Sequence, residues 1–283
     1  MKTGFAAAAV LGLTLTGAAA AARAAAPTVR LDHLAAHVII IPEARANITA
    51  EVRNAGKRGL AKPRLTVSGQ DLTISGDLSR LDLNNCRVRG GRGVSLGFFH
   101  HLDESDLPVV TLHVPMDVTV EADGAVEAET TGPLHSLTVA EQACGDWKIG
   151  DVRDRLDYDL QGRGDVQAGS ASSATLKLQG MGDLHLRATG ALDVSLQGMG
   201  DVRVDQVNGP VRASLQGMGD LHIRGGHAAQ FTADLEGMGG IKFDGVADTV
   251  DVSASGMGDI LVARATGEVH KSRSGLSKVT VGR

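Results

Sequence analysis

The chain has 283 residues with 42% hydrophobic and 22% charged side chains, an ordinary globular balance that excludes wholesale disorder. Its 37 glycines follow no Gly-X-Y period, which excludes collagen, and aromatics at 2% mean that any core is aliphatic and cut by many tight turns. A net charge of −5 without a Lys/Arg block excludes a nucleic-acid binder that works by neutralising phosphates.

Met1 and Lys2 precede an apolar stretch from Phe5 to Ala20, followed by small residues interrupted only by Arg23. This predicts a secretory signal peptide over residues 1–24, with Ala-x-Ala cleavage within residues 22–26. A cut after Ala24 is preferred, because Pro27 would follow a cut after Ala26. The segment has no Cys to serve as a lipoprotein acceptor, and its removal takes Lys2 and Arg23 away, so the charge goes from −5 to −7. No later apolar run is long enough to span a bilayer as a helix, so the expectation is an exported chain of the periplasm, exterior or cell envelope without a membrane span.

Residues 25–283 read as a single domain, with an irregular β-rich part over 25–135 and repeat coils over 136–283. In the first part, Val38 to Ile41, Ile48 to Val52, Arg64 to Val67, Leu72 to Ile74, Val109 to Val114 and Val118 to Val120 are predicted strands, broken by Gly, Pro, Asn or Asp. This third is expected to cap the open end of the repeat coils. Cys86 and Cys144 are the only cysteines, and export favours a disulfide between them over two buried free thiols. Closing a loop of that length stabilises by about 4 kcal/mol on the chain-entropy model.

From residue 140 the chain repeats itself. Leu178-Gln179-Gly180-Met181-Gly182-Asp183 recurs as Leu196 to Asp201 and Leu215 to Asp220, with looser copies at Leu235 to Gly240 and Ala254 to Asp259. Earlier matches lie at Leu160 to Asp165 and Gln142 to Asp146; Glu121 to Val126 is a decayed turn, and Ser274 to Ser277 ends the series. The residue between the glycines falls at 144, 163, 181, 199, 218, 238, 257 and 276, a step of 18 to 20 residues. On both sides of each turn apolar residues alternate with polar ones: Val194 and Leu196 before it, for example, and Val202 and Val204 after it. Two short strands cannot bury their own apolar face, but stacked units can, each pairing with the next at about 4.8 Å. The predicted fold is therefore all-β, a right-handed parallel β-helix (β-solenoid) with coils of about 19 residues and an N-terminal β-rich cap. A β-sandwich is the alternative, but it gives no reason for a fixed column of Gly-x-Gly.

These iterated turns, together with the early strand ending at Leu72-Thr73-Ile74 and the strand Leu112-His113-Val114-Pro115, resemble the auto-transporter adhesin, head GIN domain proteins of bacteria. That family typically has Gly-Ser-Gly-Asp at the turn; here Met replaces Ser in five copies and Gly240 replaces the Asp in one. The resemblance implies a right-handed β-helix and an adhesive role assigned by analogy, with no catalytic residues to carry over. No translocating barrel is expected after the repeats.

Several columns are weighed as sites. The turn aspartates, Asp183, Asp201 and Asp220 foremost, would hold Ca²⁺ if they converged, but each is expected to accept hydrogen bonds from its own turn. The paired glycines Gly180 and Gly182, Gly198 and Gly200, Gly217 and Gly219, Gly237 and Gly239, and Gly256 and Gly258 are expected to be structural. Met181, Met199, Met218, Met238 and Met257 suit Cu(I) in principle and packing by default. Gln161, Gln179, Gln197 and Gln216 are expected to form an amide ladder. Gly93-Val94-Ser95-Leu96-Gly97 matches a nucleophile elbow without the helix that such a motif needs, and Arg163-Gly164-Asp165 arises from the repeat itself. The segment Phe98 to Asp106 holds two Phe, two His and three acids; a hydrophobic plug beside an acidic turn is preferred to a metal-capturing loop.

The expectation is a non-enzymatic, adhesin-like β-helical envelope protein without a cofactor. Its partner would be a glycan or protein of the envelope or surface, and the open solenoid end leaves room for self-association. The alternatives are a polysaccharide-active β-helical enzyme, disfavoured by short loops and scarce aromatics, and a Ca- or Cu-binding envelope protein.

Overall fold

Alternating sequence places every second side chain inward, and stacking decides what those side chains touch. The computed structural model describes residues 25–54, 59–88, 92–97 and 100–283; the predicted signal segment and Phe98-Phe99 lie outside the described residues. It is 66% strand and 3% helix, a β-solenoid of about 9 turns. The elements begin with β1 (Thr28–Pro42), β2 (Thr49–Arg53), β3 (Arg64–Ser68), β4 (Asp71–Ser75), helix α1 (Arg80–Asn84), β5 (Arg87–Val88), β6 (Val94–Leu96) and β7 (His100–Leu102). They continue with β8 (Val109–Val114), β9 (Asp117–Thr130), β10 (Leu134–Glu141), β11 (Cys144–Ile149), β12 (Val152–Leu160), β13 (Val166–Leu178) and β14 (Leu184–Leu196), and the same coil recurs to Lys278–Val281.

Within the repeats the strands pair in parallel, in register apart from a shift between Phe243 and Val246. Leu178, Leu196, Leu215, Leu235 and Ala254 form one inward ladder, and Val166, Leu184, Val202, Leu221, Ile241 and Ile260 another. All eleven are at most 2% exposed. Each large aliphatic side chain buried in this way contributes roughly 1.5–3 kcal/mol, so the ladders hold the coils together without aromatics. The rings among the described residues sit inside: Phe231 stacks on Phe243 at 5.1 Å between centroids, and Trp147 meets Tyr158 edge-on at 6.1 Å. The last strands, Val269–Arg273 and Lys278–Val281, expose Lys271, Arg273 and Lys278. Such charges on an edge oppose pairing with a second chain.

The expected N-terminal cap is narrower than residues 25–135. All six predicted strands are present, but β1 and β9 are themselves coils of the solenoid. β1 pairs in parallel with β9 over almost its whole length, while its other edge pairs with β4 and β8. The first coil in the chain is therefore the second in space: the polypeptide moves outward to β4 and β8, then returns beneath β1 as β9. Only β2 and β3, antiparallel to β8 and β4, close the end. Antiparallel strands suit this place because they end the parallel stack instead of extending it.

Between β4 and β8 the chain leaves the solenoid. α1 is too short to stand on propensity and is held by a capping box: the Ser79 hydroxyl accepts the Asp82 N–H, and the Ser79 N–H donates to the Asp82 carboxylate at 3.1 Å. The Ser-x-x-Asp spacing is readable in the sequence, but a single turn of helix leaves no apolar period to predict it by. Leu78, Leu83, Cys86, Val94, Leu96, Leu102 and Leu107 form a second small core against Ala35, Ala125 and Cys144 of the solenoid. The expected disulfide joins Cys86 to Cys144, with Cα atoms 6.1 Å apart, and fastens this excursion to the stack.

Candidate functional site

Every coil turns at the same place, and that corner carries the candidate surfaces. Ala35, Ala125, Cys144, Arg163, Met181 and Met199 are consecutive register partners in this column. The decayed turn at Glu121 to Val126 is thus a real corner, and the column extends to Ala35. The excursion covers the first three rungs. Beyond it Met199, Met218, Met238 and Met257 are 45–61% exposed, so these side chains line the outside instead of packing the turn.

The glycines beside them are required by how closely corners stack. A Cβ at Gly180 would lie 1.8 Å from the carbonyl oxygen of Gly162, and one at Gly182, whose φ is +146°, would lie 1.8 Å from that of Gly164. Neither carbonyl can retreat without parting two coils.

The turn aspartates act between coils, which corrects the expectation that each would bond its own turn. The Oδ1 atoms of Asp146, Asp165, Asp183 and Asp201 accept the backbone N–H of Asp165, Asp183, Asp201 and Asp220, at 3.0 to 3.1 Å. Asp220 does the same for Gly240, and Asp259 for Lys278. Arg203 bridges the second oxygens of Asp183 and Asp201, whereas His185, His222 and Lys242 turn to Asp205 and Asp244. Asp183, Asp201 and Asp220 therefore spend one oxygen each on the backbone of the next coil, and they do not converge on a common point.

A groove of about 840 Å³ runs along the corners. It is lined by Gln161, Gln179, Gln197 and Gln216, by the glycine that follows each of them, by Arg163, Met181, Met199 and Met218, and by Arg80 and Asn84 of α1. Of the expected amide ladder, Gln216 donates to Glu236, the next rung of the same column, at 3.2 Å, whereas Gln161 turns to Asp159 on its own strand at 3.4 Å. These are weak, exposed contacts that a ligand can displace.

At the N-terminal end the aspartate column changes character. The rungs next to Asp146 are Glu127 and then His37, register partners on β9 and β1. Glu104 arrives from a 3₁₀ turn, Glu104–Asp106, anchored by the fully buried Leu107 and by the His37 N–H donating to the Pro108 carbonyl at 3.0 Å. One donor atom each of His37, Glu104 and Glu127 lie within 4.8 Å of one another in a cleft of about 310 Å³. The cleft wall adds Glu129, Asp146 and Asp165 against Lys148, so its charge is strongly negative. A second cluster, Asp32, His33 and Asp123, is already compensated by Arg80, whose Nη1 lies 3.0 Å from Asp123.

Sequence spacing misses the His37, Glu104 and Glu127 cluster because its members come from three segments joined only by coil register. The Phe98 to Asp106 segment stands out in the sequence for its acids; the structure brings Glu104 to the cleft, while Phe98 and Phe99 are not among the described residues.

Three other features carry less chemistry. Ser95 Oγ lies 3.3 Å from His101 Nδ1, and His101 Nε2 lies 3.4 Å from Asp103, but Ser95 and His101 are simply cross-strand neighbours of β6 and β7. His101 and Asp103 are 47% and 66% exposed, so water competes for both contacts. β6 runs on to a strand and not a helix, so the elbow geometry is absent. Arg163-Gly164-Asp165 is one ordinary rung, hydrogen-bonded to the coils on both sides. Glu141 is fully buried, accepts the Trp147 indole N–H at 3.0 Å, and has its pKa pushed up to about 8 by loss of hydration. It is a neutral acid sealed in the core.

Among the described residues no helix is long and apolar enough to cross a membrane. No family model matches the chain, and no curated protein matches it. Among solved structures, a putative adhesin from Bacteroides fragilis is similar to it, with 14% identity and a TM-score of 0.42 over 89% of this chain and 90% of that one.

Proposed function

We propose that the protein is an exported, non-enzymatic, adhesin-like binding protein of the cell envelope, and that its contact surface is the groove along the coil corners. The observation that carries this reading is the recurrence of the same groups, a Gln amide, a glycine backbone and a Met thioether, at three successive steps of the groove, with Arg163 in place of Met at the step before them. A repeating surface of this kind matches a repeating ligand better than a single small molecule. Amides suit sugar hydroxyls, and thioethers suit the C–H faces between them, so an envelope polysaccharide is the favoured ligand. The Cys86–Cys144 disulfide fits an oxidising compartment.

Glycan-array and envelope-polysaccharide binding test the reading. Affinity is expected to rise with oligosaccharide length until the groove is filled, and to fall at least tenfold in a Gln179→Ala, Gln197→Ala double variant. Binding that ignores length, or survives the double substitution, would overturn it. Turnover of activated esters that disappears in Ser95→Ala would replace it with an enzymatic reading.

A further inference from the structure

We infer that His37, Glu104 and Glu127 form a binding site for a first-row divalent cation of the Zn²⁺ type, at the end of the aspartate column where the repeat breaks down. The column supplies the frame. At each regular rung an aspartate reaches the N–H of the next coil, but at the first two rungs a longer Glu127 and an imidazole stand where Asp would be. Both line the cleft, and the excursion adds Glu104 to that lining.

The donor set fits. Zinc takes imidazole nitrogen and carboxylate oxygen at about 2.0–2.2 Å, which places tetrahedral ligands about 3.4 Å apart. His37 Nδ1 lies 3.9 Å from Glu127 Oε2, so that pair closes by about half an ångström around an ion, and the donor atom of Glu104, on an exposed turn, lies within 4.8 Å of the other two. His37 Nδ1 is shielded from solvent and makes no hydrogen bond, an expensive state that a metal–nitrogen bond would relieve. Its other ring nitrogen, Nε2, faces Glu129 Oε1 at 3.8 Å, the kind of carboxylate that orients a ligating imidazole. Glu127 is 8% exposed and lines the cleft beside His37, so its carboxylate is held in place as a donor. The cleft leaves the fourth position open to water. Oxygen-only cations fit less well because one of the three donors is nitrogen. The Asp32, His33 and Asp123 cluster is set aside because Arg80 already supplies its positive charge.

An ion here would clip the excursion to two coils of the solenoid, the same connection that the disulfide makes from the other side. The test is calorimetric titration of the metal-stripped full chain with ZnCl₂. One ion per chain is expected, with affinity at least tenfold weaker in His37→Ala and in Glu104→Gln. Glu104→Gln changes only a surface turn, so it reads the site even if His37→Ala folds poorly. Asp32→Asn, at the other cluster, should leave the affinity unchanged. Co²⁺ should shift the His37 ring resonances. Failure to bind, equal affinity in Glu104→Gln and the parent, or Ca²⁺ competing at equal strength would each overturn the assignment, and none of them bears on the polysaccharide groove.

Discussion

Asp183 Oδ1 accepts the backbone N–H of Asp201, 3.0 Å away in the next coil, and this contact recurs from Asp146 to Asp220. A side chain commonly used to close its own turn here fastens one winding to another, so stability is spread along the corner. Asp201→Ala removes the acceptor for the Asp220 N–H and the 2.7 Å partner of Arg203. The expected cost is about 1–2 kcal/mol, while Asp201→Asn, which keeps an oxygen in place, should cost about half as much. Urea titration of the two variants measures this; equal losses would mean that the ladder oxygen is irrelevant.

Gly240 interrupts the ladder, since it has no carboxylate to offer Asp259. A Cβ there would meet Asp220 Oδ1 at 3.3 Å and the Asp259 carbonyl at 3.5 Å, and its φ is not in the left-handed range, so a side chain fits with small adjustments. In Gly240→Asp the new hydrogen bond and a stiffer unfolded chain should contribute about 0.5–1 kcal/mol of stability. Repulsion from Asp220 and Asp259, about 0.9 kcal/mol per neighbour at 4.8 Å in water, works against this and is screened by salt. The two repulsions together outweigh that contribution at 10 mM NaCl, so the substitution should destabilise there and stabilise at 500 mM, and a loss of stability at high salt would refute the account.

Gly182→Ala tests the close approach of corners. The added carbon would stand 1.8 Å from a backbone carbonyl at a φ of +146°, so relief requires moving a coil. A loss on the order of 3 kcal/mol is expected. Gly132→Ala, whose Cβ would meet only the Pro42 ring at 3.7 Å, should change stability by less than about 0.5 kcal/mol. Similar melting temperatures for the two variants would contradict the stacking argument.

Legibility in the sequence tracks which interactions repeat. The inner ladder through Leu178, Leu196 and Leu215 and the glycine corners recur at a fixed step, so counting residues finds them. The outward path through β4 and β8 before the return at β9 leaves no periodic trace, because no motif marks which coil a strand joins. The metal cluster is hidden for the same reason: His37 meets Glu127 only through register, and Glu104 only because Leu107 anchors its turn. The direction of the aspartate hydrogen bonds escapes a sequence reading because turn chemistry is local, whereas the stacked coil offers an equally near N–H from its neighbour.

Glu141 should make stability fall as pH rises. Its carboxyl is ordinary in the unfolded chain, near 4.5, and pushed up to about 8 in the fold by burial. Between those values the native state holds a proton that the unfolded state has released, so stability is full below about pH 4.5 and is lost progressively toward pH 8. The slope approaches about 1.4 kcal/mol per pH unit, for a total of a few kcal/mol. Glu141→Gln keeps an acceptor for the Trp147 indole and should flatten this dependence, giving a more stable protein at pH 8 than the parent. Trp147, the only tryptophan, reports both the unfolding and the local change by fluorescence. A parent whose denaturation midpoint is the same at pH 5 and pH 8 would rule the argument out.

The disulfide should matter more to the excursion than to the solenoid. Cys86 and Cys144 are 58 residues apart, and removing such a link costs up to about 4 kcal/mol on the chain-entropy model. The solenoid, held by its own ladders, has no direct need of it. A Cys86→Ser, Cys144→Ser variant should therefore keep its β-sheet circular dichroism while limited proteolysis cuts first within residues 76–108. Because Glu104 rides on that segment, loosening it should also weaken Zn²⁺ binding severalfold. Collapse of the whole β-sheet signal, or first cleavage inside the repeat coils, would show that the bond supports the stack itself.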